Sequence, residues 1–142
     1  SYIKSNTYIH LNCDILFSEK LLNYIINSNQ ENIICARKDL KLENDMENIE
    51  INNNDKITNM SLTTTPNTTH KGFGLAKISK EGLRVNEKIY KKLSNIDQKK
   101  INYYGLIRMS VNEIDYFIKE THKKELSELN SLKDLQLCEF NT

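Results

Sequence analysis

The chain has 142 residues, of which 38% are hydrophobic and 27% charged, with a formal net charge of +1. This is enough chain for one domain with a real core, and the near balance of charge excludes the basic excess that nucleic-acid binders carry. No apolar run is long enough to span a bilayer, so no membrane role is expected. The cysteines Cys13, Cys35 and Cys138 are three, widely spaced and without a CxxC pair, which argues against a disulfide framework or a zinc site and for reduced thiols in the cytoplasm. The opening Ser1-Tyr2-Ile3 has neither a basic nor an apolar leader region, and it lacks an initiator methionine, consistent with the remainder of a longer protein.

The first notable stretch is Thr7 to Phe17, a mostly apolar run interrupted at Asp14. Its β-branched and aromatic content, followed at Ser18 by a helix-like pattern, predicts a buried parallel strand feeding a helix. Strands of an open α/β sheet aim their carboxyl ends at the ligand crevice, so a strand-end aspartate is placed to hold a metal or substrate. On the residues alone a simple turn accounts for Asp14 equally well. Ser18 is a suitable N-cap for a helix with Leu21, Leu22, Ile25 and Ile26 on one face. Asn32 to Ala36 predicts a second buried strand, completing a right-handed βαβ unit.

Between Arg37 and Asn67 the clusters Asn44-Asp45 and Asn52-Asn53-Asn54-Asp55 separate the apolar pieces Met46 to Ile51 and Ile57 to Leu62, which predicts a hairpin, and the polar and apolar alternation of Asn48 to Asn52 gives it one wet face and places it on an edge or lid of the sheet. Thr63 to Thr69, with the only proline, reads as a solvated loop. Gly72 to Ser79 predicts another buried strand, its glycines standing where backbone passes close to something. Ser79 caps a helix to about Asn95 with Val85, Ile89 and Leu93 on one face. A further helix is expected from Asp97, stapled by Ile96 and Ile101 and continued by Tyr104, Ile107 and Met109, with Tyr103 and Tyr104 in the core. Asn112 to Phe117 and Glu125 to Asn130 suit two more strands, and Ser131-Leu132-Lys133-Asp134 has the capping-box form that opens a last helix. Asn130 therefore repeats the position of Asp14, an oxygen ligand at the end of a strand and before a helix, and two such ligands are expected to converge on one crevice. The histidines His10, His70 and His122 lie far apart with no evident nucleophile partner and read as structural or surface residues.

The order of these pieces resembles a known family. Leu11 to Phe17 is similar to the "NGD" strand end of the MobA-like and sugar-phosphate nucleotidyltransferases, in particular bacterial phosphocholine cytidylyltransferase-like proteins. Glu128 to Leu135 resembles their closing "EIDTxEDL" motif. Asn44 to Glu47, Asp55 to Ile57 and Gly72 to Gly82 resemble the intervening "EDM", "GKI" and "GIAKFSKEG" stretches, in the same order along nearly the whole chain. The resemblance implies a three-layer α/β/α, Rossmann-like nucleotidyltransferase domain over residues 1–142, the C-terminal two thirds of the family's domain with its N-terminal part missing.

What the family's chemistry implies is transfer of a nucleotidyl group, cytidylyl in the nearest relatives, from a nucleoside triphosphate such as CTP to a small phosphorylated acceptor (phosphocholine, a phosphonate or a sugar phosphate), releasing pyrophosphate. Asp14 and Asn130 would be the catalytic residues that hold Mg²⁺, a cation that prefers hard oxygen ligands and keeps waters and phosphate oxygens. Asn12 and Gly74 would lie against the substrate. The chain departs from the family in lacking the opening GxGxRLxP loop, in carrying Cys13 for the motif's glycine and Asn130 for its aspartate, and in placing Gly105 where an acidic residue follows the paired aromatics. Two alternatives stay open: a nucleotide-sugar glycosyltransferase, for which Asn12-Cys13-Asp14 supplies one of the two DxD carboxylates, and a non-catalytic remnant or interaction domain.

Overall fold

The structure, a computed structural model, describes residues 6–131, 133 and 134. Its elements in chain order are β1 (Thr7–Leu11), β2 (Ile15–Phe17), α1 (Glu19–Asn27), β3 (Ile33–Arg37), β4 (Asn48–Ile51), β5 (Ile57–Ser61), β6 (His70–Ser79), α2 (Lys80–Lys92), α3 (Asn95–Lys100), α4 (Tyr103–Ser110), β7 (Phe117–Thr121) and β8 (Leu126–Glu128). A six-stranded mixed sheet runs β5-β4-β6-β3-β7, with β1 added to β6, and β2 and β8 form a separate pair.

Alternation along β3 and β6 creates two cores. Ile33, Cys35, Phe73 and Leu75 face one way and join Leu21 and Ile25 of α1, while Ile34, Ala36, Ala76 and Ile78 face the other way and join Tyr104 and Ile107 of α4. Helices thus cover both faces, the three-layer α/β/α arrangement that the family resemblance implies. Burying each of the large aliphatic side chains is worth about 1.5–3 kcal/mol, which is why the two most buried strands lie in the middle. Ser18 and Ser79 cap their helices as expected: Leu21 N–H donates to Ser18 Oγ at 3.1 Å and Gly82 N–H to Ser79 Oγ at 3.0 Å. At the other end of α1 the buried Lys77 donates its Nζ to the Ser28 carbonyl at 2.7 Å.

Several expectations need correction. β1 is not a buried parallel strand: Thr7, Ile9 and Leu11 are exposed, and the strand runs antiparallel to β6. β1 and β3 point the same way but are separated by β6, so they are not neighbours in a βαβ unit; the parallel partner of β3 is β7. The run from Thr7 to Phe17 also breaks at a Cys13-Asp14 turn, after which β2 leaves the main sheet for β8. The hairpin of β4 and β5 is present, with β5 at the edge of the sheet and its turn held by Asn52 Oδ1, which accepts from Asn54 N–H and Lys56 N–H. Instead of one helix from Asp97 there are two. Ser94 caps α3 through Asp97 N–H, Asn102 interrupts the helix and caps α4, and Ile96 is 65% exposed, so no staple forms. Residues 112–116 are turn or irregular, with Glu113 N–H and Ile114 N–H folded back onto the Ser110 carbonyl, and β7 begins at Phe117.

Candidate functional site

The β2–β8 pair brings the two expected oxygen ligands to one place. Ile15 is opposite Glu128, and one step further Leu129 N–H donates to the Asp14 carbonyl at 2.7 Å. Asp14 and Asn130 therefore lie just beyond the same end of one short ladder, and both are exposed. Asn130 is fixed from behind: its N–H donates to Asp134 Oδ2 at 2.9 Å, and Asp134 N–H donates to Ser131 Oγ at 3.2 Å. The continuation of the helix expected after Ser131 lies outside the described residues, as does Cys138.

Asn12 and Gly74 also meet. Asn12 N–H donates to the Gly74 carbonyl at 2.7 Å, and the Asn12 side chain lies on the glycine so closely that a Cβ there would stand 2.5 Å from Asn12 Cβ. His10 Nε2 is 3.0 Å from Asn12 Oδ1, and the imidazole stacks on Tyr103 with ring centroids 5.0 Å apart. Burial holds the His10 pKa below its ordinary value, against the opposing effect of the Asn12 bond.

Two residues earlier on β6, Gly72 N–H donates to the Glu47 carbonyl at 2.8 Å, and a Cβ on Gly72 would come 2.7 Å from the Tyr104 hydroxyl. β4 thus joins β6 at Gly72, and β1 leaves it at Gly74. Beside this gap Arg108 Nη1 donates to Glu47 Oε1 at 2.5 Å, while Glu47 Oε2 and the Tyr104 hydroxyl are buried and have no hydrogen-bond partner among the described residues. Burial raises the Glu47 pKa despite Arg108, and raises that of Tyr104 well above the phenol value.

As a magnesium site the donor set is small but chemically suitable. Mg²⁺ is commonly held by one or two carboxylates together with substrate phosphates and waters, and Asp14 offers a carboxylate and Asn130 an amide oxygen. Among the described residues no group of three or more His, Cys, Asp or Glu is arranged for a metal ion. Cys13, in the place of the motif's glycine, is exposed, and Gly105 lies in α4 with its N–H donated to Asn102 Oδ1. His70 is structural, buried between Thr69 Oγ1 and Glu120 Oε1 at 2.7 Å each, and His122 is a surface residue.

The sequence reads His10 only as a structural or surface residue and Glu47 only as the end of the stretch similar to "EDM", and it gives Arg108 no role at the site. For His10 a signal existed, because Tyr8, His10 and Asn12 recur at the two-residue period that puts side chains on one face of a strand. Two surface hollows of about 470 and 490 Å³ are present, one lined by Asn32, Ser79, Glu113 and Phe117 and the other by Tyr8, Leu83, Tyr90 and Tyr103, the ring that stacks on His10; neither is lined by Asp14 or Asn130.

No protein-family profile matches the chain, and no curated protein does. Solved structures do match its fold. The inositol-1-phosphate CTP transferase from T. maritima superposes with a TM-score of 0.68 at 16% identity over 94% of this chain and 53% of its own. A putative glucose-1-phosphate thymidylyltransferase from Bacillus anthracis gives 0.68 at 10% identity, over 96% and 54%. The CTP:phosphocholine cytidylyltransferase from Streptococcus pneumoniae gives 0.65 at 11% identity, over 91% and 54%. The fold is that of these nucleotidyltransferases, and the chain spans about half the length of each. Among the described residues no helix is long and apolar enough to cross a membrane.

Proposed function

We propose that this chain, which carries the nucleotidyltransferase fold, forms the metal-binding and acceptor-side part of an enzyme that transfers a nucleotidyl group to a small phosphorylated molecule and releases pyrophosphate. The favoured donor is CTP and the favoured acceptors are phosphocholine, a phosphonate or a sugar phosphate, in the cytoplasm. The observation that carries this reading is the pairing of Asp14 and Asn130 at one end of the β2–β8 ladder, joined through Leu129 N–H and the Asp14 carbonyl.

Asp14 and Asn130 would hold Mg²⁺, which when bound neutralises charge on the reacting phosphates. Asn12, seated on Gly74, would offer its amide to the substrate. An acceptor phosphate oxygen attacks the α-phosphorus in line and pyrophosphate departs, so the protein contributes position and electrostatics and needs no nucleophile of its own. The histidines agree with this, since none is hydrogen-bonded to a serine or cysteine among the described residues. Gly105, without an acidic side chain, favours the rival reading of a non-catalytic domain, and one assay separates the two.

The test is Mg²⁺-dependent pyrophosphate release from CTP by the natural full-length protein, with phosphocholine, inositol phosphate and glucose phosphate as acceptors. Asp14→Ala is expected to lower turnover on the order of 100-fold. Wild-type protein that releases no pyrophosphate with any acceptor would overturn the enzyme reading, and unaltered Mg²⁺ binding in Asp14→Ala would overturn the metal assignment.

A further inference from the structure

Asn12 carries both kinds of hydrogen-bonding group, one carbonyl acceptor and two N–H donors, and which of them faces a ligand depends on what holds the other. Its carbonyl oxygen lies 3.0 Å from His10 Nε2. The ring cannot swing away freely, because it stacks on Tyr103 at 5.0 Å and lies tilted beside Tyr104 at 6.0 Å. The amide cannot sink toward the sheet either, since it already lies on Gly74 with no room for a methyl group. Asn12 remains partly exposed, and none of the hydrogen bonds found among the described residues uses its Nδ2.

We propose that His10 is a positioning residue that donates its Nε2–H to Asn12 Oδ1, leaving the Asn12 NH₂ group as the donor offered to a ligand. This rests on the reading that Asn12 meets the substrate, and it adds what Asn12 selects: a ligand oxygen, such as that of a phosphate ester, over a ligand N–H. Were the imidazole proton on Nδ1 instead, Nε2 would accept, the Asn12 amide would be reversed and the preference with it. A polar group committed in this way discriminates strongly, because the wrong ligand leaves a donor facing a donor.

The first measurement needs no variant. Long-range ¹H–¹⁵N spectra of the wild-type chain are expected to show Nε2 protonated and Nδ1 bare; the Nδ1–H tautomer would overturn the proposal. Second, His10→Phe keeps a ring to stack on Tyr103 but loses the donor, so the side-chain amide resonances of Asn12 are expected to shift, whereas His10→Gln, which retains an N–H, keeps them nearer wild type. Unmoved Asn12 resonances in His10→Phe would overturn the proposal. Third, titration with inorganic phosphate is expected to perturb the Asn12 amide in wild type and to do so about three- to tenfold more weakly in His10→Phe. Equal response in both proteins, or none in wild type, would overturn the specificity assigned to Asn12. Failure of pyrophosphate release with these three results intact would count against the enzyme reading alone.

Discussion

Gly74→Ala perturbs the junction where β1 meets β6. The glycine is not required by backbone conformation, as no glycine among the described residues has positive φ; it is required by space. A new Cβ would stand 2.5 Å from Asn12 Cβ and closer still to the Asn12 amide. Because Cβ is fixed to the backbone, rotating the side chain does not relieve the clash, and the Asn12 backbone must move. Overpacking of this kind costs about 1–3 kcal/mol. The Asn12 N–H bond to the Gly74 carbonyl, 2.7 Å long, is strained or lost with it, for a further ~0.5–1.5 kcal/mol. The total of about 1.5–4.5 kcal/mol is a large share of the stability of an ordinary domain.

For a chain of 142 residues this corresponds to a melting temperature lowered by roughly 5–15 °C, read by circular dichroism or calorimetry. Gly105→Ala is the control. Its Cβ would meet the movable Ile101 Cγ1 at 3.0 Å, and within α4 alanine gains about 0.5–1 kcal/mol of helix propensity over glycine. That variant is expected to melt near wild type or above it. If Gly74→Ala melts within about 1 °C of wild type, Asn12 is not seated on Gly74 and the proposed substrate corner is misdrawn.

Lys77→Met removes the ammonium that meets the Ser28 carbonyl while keeping the apolar stem, and is expected to lower unfolding free energy by about 1–3 kcal/mol in urea; an unchanged midpoint would deny Lys77 its role at the end of α1. The folded-state pKa of Glu47 lies above its unfolded value because the carboxyl is buried, so the native state holds the extra proton and stability falls as pH rises through that window. Glu47→Gln is expected to flatten this slope where pH rises through and above the ordinary carboxylate range, and an equal slope in both proteins would refute the assignment. A thiol reagent at neutral pH should label exposed Cys13 in the folded protein and spare Cys35, whose buried thiol is pushed up to about 12. Peptide mass spectrometry showing Cys35 modified as fast as Cys13 would contradict that burial.

The parts of the fold legible in the sequence were those with a local cause. Ser18 and Ser79 announce caps and Asn52 to Asp55 announces a turn; the polar and apolar alternation from Asn48 announces a strand but not its wet face, because Asn48 is buried with its amide donated to the Glu43 and Met46 carbonyls. The arrangement of the strands was not legible, because β6 inserts between β1 and β3 from about forty residues beyond β3 and nearly seventy beyond β1, and no local pattern encodes that pairing. Asn102 was passed over because Ile101, Tyr104 and Ile107 keep a helical spacing across it, yet its side chain competes for the backbone and ends one helix to start another. For the candidate site, Asp14 and Asn130 could be named from residue type and order, but the hydrogen bond that sets them side by side belongs to a ladder between residues over a hundred apart.

That ladder has three residue pairs, which would be marginal as an isolated hairpin-like sheet in water. Its position is imposed by the main sheet. Ile15 and Leu126 are buried against Phe73 and Leu75, Arg37 Nη1 donates to the Leu126 carbonyl at 2.9 Å, and Lys71 pairs with Glu128 at 2.6 Å. Both cations also lie over the Phe73 ring, at 5.0 and 4.6 Å from its centroid, so Phe73 ties the two anchors together. Asn12 is tied to the same strand one residue further on, through Gly74. All four candidate residues therefore depend on residues 71–75 of β6, with Arg37 of β3 as a further anchor: Asn12 and Gly74 directly, Asp14 and Asn130 through the β2–β8 pair. Groups that act on one ligand must keep their spacing to within a fraction of an ångström, and a shared central strand supplies that rigidity where an exposed turn alone does not.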